Sequence, residues 1–192
     1  LMERLPNLKL LATMAMINRA IDMEAAADLG IVVEGTDRPL GSEWLHTGLG
    51  GGGGPTVDLT WGLIVALTMN IVKEDRAIRE GKWQTAVGTS LGGKTLGVVG
   101  LGGLGAKAAA HAPIFGMDII AWSQNMTKER AAECGGTLVT KEELFSQSDV
   151  VTIHYVLTER SVGLVGAREL ALMKPTAYLI NTSRGPIVDE AA

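Results

Sequence analysis

An α/β fold built on a doubly wound parallel sheet is predicted by three observations. From Lys94 onward, short apolar runs alternate with helical segments, and that alternation implies parallel strands joined by crossover helices. One strand-to-helix turn is Gly100-Leu-Gly102-Gly-Leu-Gly105, set between an apolar run and an alanine-rich segment. With 46% hydrophobic residues in 192, the chain can also bury a substantial core.

In chain order, Leu8 to Ala12 reads as a strand, Ile21 to Leu29 as a helix with Asp22 near its start, and Ile31 to Val33 as a second strand. The loop Thr13 to Ala20 therefore follows the carboxyl end of a strand, where open α/β sheets present ligand sites. Its Met14 and Met16 read either as pocket lining or as core filling. Glu34 to Gly54, with Pro39, Gly41 and the run Gly50 to Gly54, has neither a 3.6- nor a 2.0-residue period and reads as a flexible connection. In it, Trp44 and His46 are either ligand contacts or solvated linker residues. Pro55 opens a helix whose apolar positions, Leu59, Leu63, Ile64, Leu67 and Ile71, continue into the charged Lys73 to Glu80 and stop at Gly81. One long helix is expected there, and the chain divides into 1–54 and 55–192.

The remaining elements are a strand at Thr95 to Val99, a helix at Ala106 to Ala112, and a strand at Met117 to Trp122. Helix Thr127 to Glu133, strand Thr137 to Val139, helix Lys141 to Gln147, strand Asp149 to His154, helix Ala167 to Met173 and strand Ala177 to Asn181 follow.

The glycine spacing carries chemistry only because of this setting. Gly100 lets the chain turn sharply, Gly102 lets backbone approach a pyrophosphate, and Gly105 lets the new helix pack on the strand. The βαβ context favours a dinucleotide site over a turn that serves packing alone. An acid normally ends the second strand of such a unit, holding the ribose hydroxyls and repelling a 2′-phosphate. Here the strand ends in Ser123-Gln124-Asn125, so poor discrimination between NADH and NADPH is expected. Lys128 or Arg130, one turn on, either attracts a 2′-phosphate or belongs to a solvated helix face. Beyond the last strand stands Asn181-Thr182-Ser183-Arg184-Gly185. The planar fork of Arg184 suits bidentate capture of a carboxylate and polarisation of a carbonyl, with a surface salt bridge as the alternative.

Composition narrows the classes. A net charge of −4 and a pI near 5.4 argue against direct binding to nucleic acid. The longest apolar stretch, Leu59 to Val72, is broken by Thr60, Thr68 and Asn70 and is too short to cross a bilayer. A single cysteine, Cys134, cannot form an internal disulfide or share a metal with other cysteines, which suits a reducing cytoplasm. No metal is called for.

Taken together, GLGGLG at Gly100 to Gly105, FGMDIIAW at Phe115 to Trp122, the segment His154 to Thr158, MKPTAYLINTSRGPIVDE at Met173 to Glu190 and the N-terminal LPNLKLLAT resemble the D-isomer-specific 2-hydroxyacid dehydrogenase family. The resemblance covers nearly the whole chain except Glu34 to Gly54. It implies a homodimeric two-domain enzyme, a flavodoxin-like substrate domain with an inserted Rossmann-type domain, that reduces small 2-keto acids with NAD or NADP. By the match, Arg184 binds substrate and is catalytic. Gly103 and Leu104 meet the pyrophosphate with Gly100, Gly102 and Gly105; Ser123 replaces the ribose acid; Val156 and Thr158 lie beside the cofactor; Thr182 and Ser183 lie near the nicotinamide. The backbone of Met14, Ala15 and Met16 matches the loop that takes the substrate carboxylate.

Departures from the family pattern are Gly103 in place of a common Arg or Lys, Val156 in place of proline, and Ala15 in place of glycine. The resemblance also places the family's catalytic histidine and its paired carboxylate beyond Ala192; since the chain opens on Leu1 inside what reads as the end of a helix and closes on what reads as the start of one, it is expected to be a fragment cut at both ends. His46, His111 and His154 are expected to be structural or cofactor-adjacent. The rival expectation is a dinucleotide-binding regulatory protein on the same fold, and a third is a piece with an open sheet edge and no function by itself.

Overall fold

The computed structural model describes residues 2–13, 20–35 and 54–192. The chain forms two compact units, Leu1–Gly51 and Gly52–Ala192. In the first, strand β1 (Leu10–Thr13) pairs in parallel with β2 (Val32–Gly35), Leu10 opposite Val32, and helix α1 (Met23–Asp28) makes the crossover. Asp22 caps α1 by accepting the Ala25 N–H at 3.0 Å, which satisfies an amide that has no partner a turn earlier. The expected substrate loop, Met14 to Met16, and the linker residues Trp44 and His46 lie outside the described residues.

The second unit is a five-stranded parallel sheet in the order β5-β4-β3-β6-β7. Its strands are β3 (Thr95–Val99), β4 (Asp118–Trp122), β5 (Thr137–Leu138), β6 (Val150–Ile153) and β7 (Tyr178–Asn181). Helices α4 (Gly103–Ala109), α5 (Lys128–Glu133), α6 (Lys141–Gln147) and α7 (Ala167–Leu172) connect them. Alternate residues of each strand point to opposite faces. Leu96, Val98, Ala121 and Val150 accordingly join Val57, Trp61 and Ile64 in one core, while Val99, Ile120, Val151 and Ile153 join Leu144, Phe145 and Ile187 in the other. Gly97 leaves room for the end of α6: a Cβ there would collide with the Ser148 hydroxyl and press on Leu144.

The long helix expected from Pro55 to Gly81 is two helices, α2 (Pro55–Thr68) and α3 (Ile71–Arg79), with a 61° bend between them. Asn70 breaks it by taking a left-handed conformation, φ 56°, which asparagine tolerates better than most residues. Helix α4 also starts earlier than the alanines suggested, within the glycine loop, and Pro113 closes the segment as a 3₁₀ turn at Ala112–Phe115. Trp61 of α2 locks onto this region: its Nε1–H donates to the Ala108 carbonyl at 3.0 Å and its ring stacks on Phe115 at 4.6 Å. No single helix among the described residues is long and apolar enough to cross a membrane.

Candidate active site

The strand order reverses between β3 and β6, and in an open α/β sheet a crevice forms outside the carboxyl ends of the strands at that point. Gly100 ends β3 there with φ +91°, and a Cβ on it would stand 2.6 Å from the His154 carbonyl oxygen. A Cβ on Gly105 would run into the Gly100 carbonyl oxygen, so that glycine is what lets α4 close on the turn. Gly102 and Gly103 are different: nothing lies within 4 Å of where their Cβ atoms would be. Their backbone faces open space, which is the condition for a ligand to approach it.

A cavity of about 340 Å³ opens above this loop. Gly100, Leu101 and Gly102 line it from one side, His154, Tyr155 and Val156 from the end of β6, and Ser123, Asn125, Met126 and Arg130 from the segment after β4. No carboxylate is among these lining residues. His154 is tied by its backbone N–H to the Val99 carbonyl at 2.8 Å, and its Nε2 lies 3.0 Å from the buried Thr152 hydroxyl. Burial pushes its pKa from 6.5 down to about 4, because a charged ring there would lose hydration. At neutral pH it is an uncharged wall.

The end of β7 is held as a rigid loop. Asn181 clamps it twice, accepting the Ser183 N–H with Oδ1 and donating from Nδ2 to the Arg184 carbonyl, both at 3.0 Å. The Ser183 hydroxyl donates to the Ile153 carbonyl at 2.9 Å, fastening β7 to the end of β6. The Thr182 hydroxyl meets that of Thr60 on α2 at 2.9 Å. Arg184 itself is exposed, its Nη1 donating to the Ser183 carbonyl, and among the described residues it has no carboxylate partner. The salt bridge that would make it merely structural is not found there.

The model of the D-isomer specific 2-hydroxyacid dehydrogenase NAD-binding domain matches residues 61–192. The chain belongs to this family. It is 37% identical to the glyoxylate reductase of Thermococcus litoralis over 201 aligned residues, covering 100% of this chain and 57% of that protein. A D-3-phosphoglycerate dehydrogenase of Synechocystis is 42% identical over 132 residues, 68% of this chain and 24% of its own length. The crystal structure of a phosphoglycerate oxidoreductase from Vibrio cholerae shares the fold at a TM-score of 0.84 and 29% identity, covering 98% of this chain and 57% of that one. The chain thus spans a little over half the length of the glyoxylate reductase it matches.

Against this 2-hydroxyacid dehydrogenase frame, the structure brings together Gly100, Gly102, Ser123 and Val156 around one cavity. Gly103 and Leu104 lie on the exposed first turn of α4, and Gly105 is buried beneath it. Thr158 is exposed, and its N–H is taken by the buried Ser161 hydroxyl at 2.7 Å. Thr182, Ser183 and Arg184 stand at the neighbouring strand end and do not line the cavity. The lining roles of Leu101, Asn125, Met126 and Tyr155 escaped the sequence, because a motif that contains or adjoins a residue does not say which way it faces. His111 bonds the Lys107 carbonyl through Nδ1 at 2.8 Å, a packing role. The open glycine backbone and the acid-free cavity fit the adenosine and pyrophosphate of a dinucleotide, as expected of the family's NAD-binding domain.

Proposed function

We propose that the protein containing this chain is an NAD(P)-dependent D-2-hydroxyacid dehydrogenase that reduces a small 2-keto acid. The observation that carries the reading is the joining, in one family member, of an open glycine loop at the sheet's reversal point with a rigid Asn181–Arg184 loop on the next strand end but one. Glyoxylate is the preferred substrate class on this reading, supported by relatives named glyoxylate reductases. The nicotinamide supplies the hydride when bound. Arg184 grips the keto acid's carboxylate with its fork and draws electron density from the carbonyl, and the Asn181 clamp holds the backbone from which it projects. Residues 1–54 form part of the substrate domain on this reading, and the Met14, Ala15 and Met16 backbone, outside the described residues, is its substrate-binding loop. Gly103, Leu104, Thr158, Thr182 and Ser183 complete the cofactor contacts. Neither His111 nor His154 is the proton donor: one serves packing, and the other is too deeply desolvated to carry a proton at neutral pH.

The regulatory reading is not favoured, since the relatives named above are oxidoreductases. A homodimer is proposed, supported by the exposed stripe Leu59, Leu63 and Leu67 on α2 and by Trp83 and Val87, which are 75% and 94% exposed. The reducing cytoplasm suits the free Cys134.

Steady-state kinetics of the full-length protein with glyoxylate and either reduced nucleotide tests the activity. Arg184→Lys keeps the charge but loses the fork. It is expected to lower kcat/KM roughly a hundredfold, on the order of 3 kcal/mol, while nucleotide affinity stays the same. Wild-type kinetics in that variant would remove Arg184 from the site.

A further inference from the structure

We propose that Arg130 makes this site select the 2′-phosphorylated dinucleotide, so that the protein binds NADP(H) in preference to NAD(H). This rests on the reading of the cavity as the adenosine end of the cofactor site, and goes beyond the mere tolerance that a missing acid implies.

The local structure explains why this arginine, and not its neighbour, reaches the cavity. After β4 the chain makes a turn closed by the Met126 N–H donating to the Ser123 carbonyl at 3.1 Å, which sets Ser123, Asn125 and Met126 along the cavity wall. Thr127 then caps α5 by accepting the Arg130 N–H at 3.2 Å. Ala131, fully buried, fixes which side of α5 faces inward, and Arg130 beside it lines the cavity while Lys128 does not.

The charges favour a dianion. The cavity wall carries one cation, Arg130, no carboxylate, and the neutral His154. In the neighbouring depression, which shares Ser123 and Met126, the carboxylates are engaged elsewhere: Glu143 holds the Thr140 N–H and hydroxyl, and Glu142 pairs with Arg168 at 2.9 Å. Lys141 there is bound to Glu169 at 2.9 Å and so is not free to compete. Arg130 does pair with Glu133 at 3.0 Å, but both partners are exposed and such pairs are weak. A phosphate offers the guanidinium two charge-assisted bonds in place of one, and Ser123 adds a hydroxyl donor where an acid would repel.

The test uses the full-length protein and two adenosine probes that lack nicotinamide, 2′,5′-ADP and 5′-AMP, titrated by calorimetry. The 2′-phosphate should tighten binding by about tenfold or more at low salt, and the advantage should shrink as ionic strength rises. Arg130→Gln should abolish that advantage, Arg130→Lys should retain part of it, and Lys128→Gln should leave the ratio where it was. Equal affinities for the two probes, or a ratio that survives Arg130→Gln, would overturn the proposal while leaving the nucleotide site intact. Failure of both probes and of NAD to bind a folded protein, checked by circular dichroism, would instead overturn the reading of the cavity, and this inference with it.

Discussion

Gly102 and Gly100 sit two residues apart in one loop and should fail in opposite ways. At Gly102 the backbone angle is an ordinary φ of −75° and the space around it is empty, so Gly102→Val leaves the fold alone and puts a branched side chain where the pyrophosphate must lie. Calorimetry should show nucleotide binding lost with the unfolding midpoint unchanged; retained affinity would take the loop out of the cofactor site. At Gly100, φ +91° and the His154 carbonyl both oppose a side chain, so Gly100→Ala should destabilise by roughly 1–3 kcal/mol in urea unfolding. His154 gives a pH signature. Its pKa is lower folded than unfolded, so the unfolded chain takes up a proton first as pH falls. The stability it confers is complete above pH 6.5 and is lost progressively down to about pH 4, by about 3 kcal/mol at most. His154→Asn should flatten that part of the stability profile; an unchanged slope would mean that the ring charges freely in the fold. The sharp turn at Gly100 and the close packing at Gly105 were legible in the sequence because they depend on the chain's own backbone. Which of Lys128 and Arg130 faces the cavity was not, because a side chain eight residues past the end of β4 is aimed by a turn, a cap and one buried alanine acting together.

Among the elements, the strands of the second unit were read nearly to the residue, most clearly β3 and β6, which are apolar runs bounded by turn residues and buried on both faces. The long helix was misread for a reason of the same kind. Apolar spacing passes straight through Met69 and Asn70, and it cannot show that Asn70 will take a left-handed conformation and turn the chain by 61°. Nor does any pattern announce that Thr60 of α2 will meet Thr182, just past the end of β7 and 122 positions along the chain. That contact links the helix opening the second unit to the strand that presents Arg184. Thr60→Val keeps the shape but strands the Thr182 hydroxyl, at a cost of about 1–2 kcal/mol. Adding Thr182→Val should recover much of the loss, and a double-mutant cycle on urea midpoints measures the coupling. Strict additivity of the two losses would show that the hydroxyls do not interact.

For the molecule as a whole, the paired glutamates Leu63→Glu and Leu67→Glu should convert a dimer to monomer in sedimentation analysis, since each places a charge in the exposed α2 stripe. A wild-type protein that sediments as a monomer would dismiss the dimer. The chain's architecture was legible in outline from alternation alone, whereas the aim of side chains into the crevice depends on strand order, which no local pattern records. That order, β5-β4-β3-β6-β7, has one more consequence. β3 and β6 are flanked by strands on both sides, and Leu96 to Val99 and Val150 to Ile153 are all buried. β5 is an edge of two residues leaning on the short α5. Amide hydrogens should therefore exchange slowest in β3 and β6, through global opening, and fastest around β5 and α5, through local fraying. The floor of the crevice, at Gly100 and His154, would then persist through excursions that release the Arg130 wall. Nucleotide should protect the frayed side most, so a deuterium-exchange map with and without ligand would separate the frame of the site from its latch.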